Sequence, residues 1–168
     1  VSTTFDLGRL GLTSGEGRRF PVDVDLESFT FGGERYEVDP ERVSVTLDVA
    51  RMLHGGWSLR LRFAAEIIGP CMRCLAGASP EVSVDSREIH QPGSDTDELE
   101  SPYVGDDELE LTDWARDALA LALPSQILCR PDCAGLCPEC GEDLNANPHE
   151  HERAPDPRWA KLGELRLE

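Results

Sequence analysis

Positive charge is what this sequence has least of. Sixteen Lys and Arg stand against thirty-three Asp and Glu, a formal net charge of −17, and only Lys161 is a lysine. Proteins grip phosphate backbones with basic side chains, so this composition makes direct RNA binding doubtful and points to basic proteins as partners. Long apolar runs are also missing. None approaches the ~18 residues of a membrane-spanning helix, so no membrane role is expected. No secretory leader is expected, and the acidic stretches lack the alternating oxygen spacing of a calcium loop.

Cysteine is present, and it is concentrated. Cys129, Cys133, Cys137 and Cys140 fall within twelve residues, and Cys71 and Cys74 form a separate pair upstream. A Cys-x2-Cys pair closes a tight turn that aims two sulfurs at one point. Pro138 presets the backbone of such a turn, and Gly141 accepts the positive φ at its end. Disulfides suit small secreted domains, and a redox Cys-x2-Cys needs a strand-to-helix context that Cys71 lacks. Zinc fits these spacings best. His149 and His151 follow the cysteines, and six thiols with two imidazoles make eight ligands for two tetrahedral ions.

Order along the chain suggests the division. Cys71, Cys74, Cys129 and Cys133 would hold one ion, and Cys137, Cys140, His149 and His151 the other. The alternative is a single ion held by Cys71, Cys74, Cys137 and Cys140. Either way the metal is expected to be structural, and thiol-rich sites of this kind belong in a reducing, cytoplasmic setting.

The remaining chain reads as α+β: an antiparallel β-rich domain, barrel- or sandwich-like, with one packed amphipathic helix and a zinc-ribbon-like module. Residues 1–90 carry the strands. Phe20, Val22, Val24 and Leu26 alternate with charged residues, and Phe29 and Phe31 repeat the pattern. Val43, Val45, Leu47 and Val49 precede a His54-Gly55-Gly56 turn, and Trp57, Leu59, Leu61, Phe63, Ala65 and Ile67 follow it, which predicts a long hairpin. A third strand through Val82, Val84 and Ile89 places Cys71 and Cys74 on a zinc-knuckle hairpin tip. Residues 91–110 read as a mobile acidic loop. Residues 111–128 hold the helix, capped by Thr112, buried on Leu111, Trp114, Ala115, Ala118, Leu119 and Ala122, and ended by Pro124. Residues 129–168 form the cysteine and histidine module, with a short last helix beginning at Asp156-Pro157 and presenting Trp159, Leu162 and Leu165.

Leu121-Ala-Leu-Pro124, then Leu128-Cys-Arg-Pro-Asp-Cys-Ala-Gly-Leu-Cys-Pro-Glu-Cys-Gly-Glu-Asp-Leu-Asn145, resembles the bacterial YceD family. Cys71-Met-Arg-Cys74-Leu75, the acidic insert and Asp156-Pro-Arg-Trp159 fit the same family in order. The resemblance implies a role in accumulation or processing of large-subunit ribosomal RNA, and it supplies no catalytic residues. The expected function is therefore a non-enzymatic zinc-binding factor in ribosome assembly, with a basic large-subunit ribosomal protein or pre-ribosomal particle as partner and no small-molecule substrate. A zinc-ribbon adaptor in transcription or signalling is the alternative. A zinc-dependent RNA-processing enzyme ranks below both, since eight ligands for two ions leave no open metal position.

Overall fold

The computed structural model describes residues 3–93 and 99–151. Its strands, in order, are β1 (Thr4–Asp6), β2 (Gly17–Asp25), β3 (Phe29–Phe31), β4 (Glu34–Asp39) and β5 (Arg42–Arg51). The fourteen-residue β6 (Trp57–Pro70) comes next, then β7 (Gly77–Ala78), β8 (Glu81–His90), β9 (Val104–Gly105), β10 (Glu108–Glu110) and the helix α1 (Leu111–Ala122).

β6 is the spine. Trp57 pairs with Arg51 of β5 and His90 of β8, while Glu66 pairs with Asp39 of β4 and Glu81 of β8. A strand residue has one neighbour at each edge, so β8 lines one edge of β6 and β5 and β4 share the other. β2 extends the sheet beyond β5, and β3 extends it beyond β4. All these pairings are antiparallel, as the alternating sequence requires.

Alternation decides which face is buried. Val43, Val45, Leu47 and Val49 of β5 and Trp57, Leu59, Leu61, Phe63, Ala65 and Ile67 of β6 all point inward, none more than 8% exposed. Met52–Gly56 turns the hairpin, with Gly55 in a left-handed conformation. α1 covers this inward face, packing chiefly against β8, with further contacts to β2 and β1. Leu111, Trp114, Ala115, Ala118 and Leu119 are its buried stripe, and Trp114 Nε1 donates to Ser86 Oγ on β8 at 3.1 Å. The described residues are thus mostly antiparallel β with one helix.

Four expectations need adjusting. Residues 99–110, read as part of a solvated acidic loop, include the hairpin β9–β10, and β10 pairs with β1 in a separate three-stranded sheet. Val104 and Leu109 are buried, and Asp106 and Asp107 turn the chain with positive φ, which Asp tolerates better than most residues. Asp107 also accepts the indole N–H of Trp57 at 2.8 Å, which ties this hairpin to β6. Thr112 is not the helix cap. It sits inside the first turn, and its hydroxyl accepts the Thr3 amide at 2.8 Å, fastening the N-terminal arm. Ile89 is 47% exposed, because it has the opposite parity to Val82 and Val84. Ala122, at the frayed end of α1, is likewise exposed. The helix does end before Pro124, with Leu123 extended. The centre of the acidic loop and the final helix with Trp159, Leu162 and Leu165 lie outside the described residues.

Candidate metal centres

β6 runs past its partners and ends at Pro70, and the chain turns there through Cys71-Met-Arg-Cys74 before returning as β7. The turn is held by its backbone. Cys71 N–H donates to Ala76 O at 2.7 Å, and Leu75 N–H donates to Cys71 O at 3.0 Å. The Arg73 amide points at Cys71 Sγ from 3.5 Å, the usual way a knuckle stabilises thiolate charge.

The segment after α1 docks on this knuckle. Met72 N–H donates to Ile127 O at 2.8 Å, and Arg73 reaches Gln126 Oε1 and Cys133 O. That docking brings Cys129 and Cys133 to the knuckle. Cys71 Sγ lies 3.8 Å from Cys133 Sγ, and Cys74 Sγ lies 3.6 Å from Cys129 Sγ. A tetrahedron of sulfurs around zinc has edges of about 3.8 Å, given bonds of about 2.3 Å. A disulfide would need about 2.05 Å. The cysteines are free. Cys71 and Cys133 are buried, Cys74 is half-buried, and Cys129 lies at the surface.

The second centre repeats the turn. Gly141 N–H donates to Cys137 O and Cys137 N–H to Glu142 O, both at 2.8 Å, copying the bonds of Leu75 and Cys71. His149 and His151 return to this knuckle. His149 Nε2 is 3.2 Å from Cys140 Sγ, while its Nδ1 donates to Asn147 O at 2.8 Å. The carbonyl thereby holds the tautomer whose free lone pair faces the cysteine pair. The two imidazoles meet edge to face at 4.9 Å.

The eight side chains singled out in the sequence therefore gather as two fours. Cys71, Cys74, Cys129 and Cys133 form one set and Cys137, Cys140, His149 and His151 the other, the donor atoms in each within 4.8 Å of one another. Cys71/Cys74 and Cys137/Cys140, the pairs of the single-ion alternative, fall in different sets. Each set could hold a metal ion.

Electrostatics favour a cation in each. Burial pushes the Cys71 thiol up, but the amides of Cys74, Arg73 and Cys129 outweigh it and bring it down to about 6. Cys137 also falls to about 6, drawn down first by the Cys140 amide against burial. Cys129 goes the other way, pushed up to about 12 by burial and by the neighbouring sulfurs of Cys74, Cys133 and Cys71. Four thiols this close cannot all ionise unaided, and a divalent cation removes the conflict.

One contributor carried no signal in the sequence. Asn145 Oδ1 accepts from Arg130 Nη2 at 2.7 Å and from the Ala134 amide at 2.8 Å. Its Nδ2 donates to Asp143 Oδ1 at 2.7 Å and faces Cys133 Sγ at 3.5 Å. It thus braces the three-residue bridge, Ala134-Gly135-Leu136, that joins the two centres. Gly135 is needed there, because a Cβ would stand 3.2 Å from the Arg73 carbonyl and φ is +82°.

Comparison with known proteins adds the following. The family model for large ribosomal RNA subunit accumulation protein YceD matches residues 59–166. An uncharacterized protein of Mycobacterium tuberculosis is 45% identical over 108 residues, 61% of this chain and 52% of that protein. One from Mycobacterium leprae is 36% identical over 107 residues, 60% of this chain and 49% of that protein. The chain spans about half the length of these curated relatives. No solved structure matches.

Proposed function

We infer, since this chain belongs to the YceD family of large ribosomal RNA subunit accumulation proteins, that it is a non-enzymatic zinc-binding factor in large-subunit assembly. The observation that carries this reading is the completeness of both donor sets. Four protein ligands close a tetrahedral zinc, leaving no position for the water or substrate of a catalytic site. Sulfur-rich and mixed sulfur–nitrogen tetrahedra select zinc over harder cations. Structural sites of this kind contribute about 10–16 kcal/mol, as much as the whole stability of a domain. The zincs hold the tail of the chain against the end of β6.

The acidic surface supplies the partner. A net charge of −17 attracts a basic protein and repels bare phosphate over most of its area. The partner is a basic large-subunit ribosomal protein, met in the cytoplasm before or during its delivery to the pre-ribosomal particle. Affinity capture with the zinc-loaded chain, with and without nuclease, tests this. Nuclease-resistant recovery of a basic large-subunit protein is expected. Failure to enrich any such protein, together with normal large-subunit RNA levels after depletion of the chain, rejects the reading.

A further inference from the structure

The register of the central sheet sets four arginines on one patch of its outward face. Arg19 pairs with Asp48, Asp48 with Arg60, and Arg60 with Arg87, one unbroken row across β2, β5, β6 and β8. The next row along holds Pro21, Thr46, Arg62 and Asp85. Residues directly opposite lie about 5 Å apart, so the guanidiniums crowd within a few strand spacings.

Two carboxylates serve these four cations. Asp48 takes both Arg19 and Arg62, each at 2.6 Å, and Asp85 takes Arg60. Arg87 is exposed and has no carboxylate in ion-pair range among the described residues, yet it stands opposite Arg60. Like charges facing each other across a strand pair destabilise a sheet, and Asp85, already bonded to Arg60, offsets only part of this repulsion. The Nε of Arg62 is buried without a partner. The patch carries a net charge of +2 on a chain whose total is −17.

Small side chains border it. Gly17, Ala50 and Ser58 flank one side in a row that ends at Ile89, and Ser44, Ala64 and Ser83 flank the other in a row that begins at Asp23, so a ligand can lie flat against the middle strands. Of the other carboxylates of this face, Asp23 stands in the bordering row, Asp25, Glu66 and Glu81 lie beyond it, and β4 adds Glu37 and Asp39. No aromatic side chain alternates outward here to stack a base. We propose that this arginine row is a docking surface for the phosphate backbone of RNA, read without sequence preference. It goes beyond a basic protein partner and rests on the ribosome-assembly reading only in taking RNA as the polyanion. The acidic remainder of the surface then orients the contact, because every other approach of RNA is repelled.

The test is fluorescence anisotropy of a labelled RNA duplex of arbitrary sequence, titrated with the zinc-loaded chain at several salt concentrations. Binding that weakens steeply with salt is expected. Arg87→Ala, which breaks no ion pair, should weaken binding about three- to tenfold and reduce the salt slope by about 1. Arg9→Ala, in the turn between β1 and β2 where Arg9 pairs with Asp6 and outside the strands of the row, should change neither. Asp85→Asn should tighten binding, an outcome that a misfolded protein would not give. No salt-dependent binding by the unaltered chain, or equal losses for Arg87→Ala and Arg9→Ala, overturns the proposal. So does displacement of the RNA by polyglutamate of equal charge, which would make the surface one for acidic proteins. Capture of the basic protein partner should survive Arg87→Ala, so the two readings fail separately.

Discussion

Leu75 and Gly141 occupy the same place in two copies of one turn. Each donates its amide to the carbonyl of a cysteine four residues earlier, Cys71 or Cys137, and each has positive φ, 62° and 77°. Glycine takes that conformation freely. Leucine does not, and its side chain is 65% exposed, so little packing is gained in return.

Leu75→Gly should therefore stabilise the zinc-loaded protein by about 0.5–1 kcal/mol, the strain relief of about 1–2 kcal/mol being partly offset by a freer unfolded chain. Gly141→Leu should cost about 0.5–1 kcal/mol, the strain being partly offset by a stiffer unfolded chain. Denaturant titration of both variants at saturating zinc checks the pair. A change of the same sign at both positions would mean that the turns are not equivalent.

The two centres should be separable by single substitutions. Native mass spectrometry should show two zincs per chain, and one for Cys137→Ser. Amide exchange in that variant should rise after residue 133 and stay slow in β5, β6 and β8. Cys133→Ser should instead loosen the end of β6 as well, since Cys133 is buried against Cys71. Loss of the whole fold on Cys137→Ser would show that the second centre is not a separable module.

Asn145→Ala removes the acceptor shared by Arg130 and Ala134 and the amide facing Cys133. Partners that hold a ligand in place matter almost as much as the ligand, and their loss lowers metal affinity about 10–100-fold. Zinc transfer to a chromogenic chelator should be correspondingly easier in the variant, with the extra transfer amounting to one ion per chain.

Acid should weaken the sheet partly through Asp48. Hydrogen bonds from Arg19, and then Arg62, outweigh burial and hold its carboxyl below the usual carboxylate range. A lowered folded pKa gives stability that is present above the unfolded value, about 3.9, and is lost as pH falls through the folded one. Asp48→Asn should cost less than about 1 kcal/mol at pH 7, because the network is partly solvated. The gap between the two proteins should close below about pH 4. Comparing them at each pH cancels the loss of metal that both suffer in acid.

The parts of the chain legible in advance are those where one period dominates. From Arg42 to Ile67 apolar residues recur at every second position, so strand, buried face and hairpin all follow. The cysteine spacing dictates two knuckles, and chain order groups the eight donors as the fold does. Residues 99–110 hid their hairpin behind charge: Val104 and Leu109 are their only buried apolar residues, too few to form a period. Thr112 had the chemistry of a cap, but its partner, Thr3, lies 109 residues away and is brought there by β1. The arginine row was invisible for a similar reason. Its members are scattered from Arg19 to Arg87, and only strand register aligns them.

The contact between Cys74 and Cys129 has a topological consequence. The two sulfurs join positions 55 residues apart, a span that contains β8, the acidic segment, the β9–β10 hairpin and α1. An ion held there closes a covalent-like ring around half the sheet's cover. Cross-linking a ring of that size removes about 4 kcal/mol of chain entropy from the unfolded state, as a disulfide would. A metal held there would act as a reversible clasp, and its removal would free the cover of the β-sheet before the sheet itself.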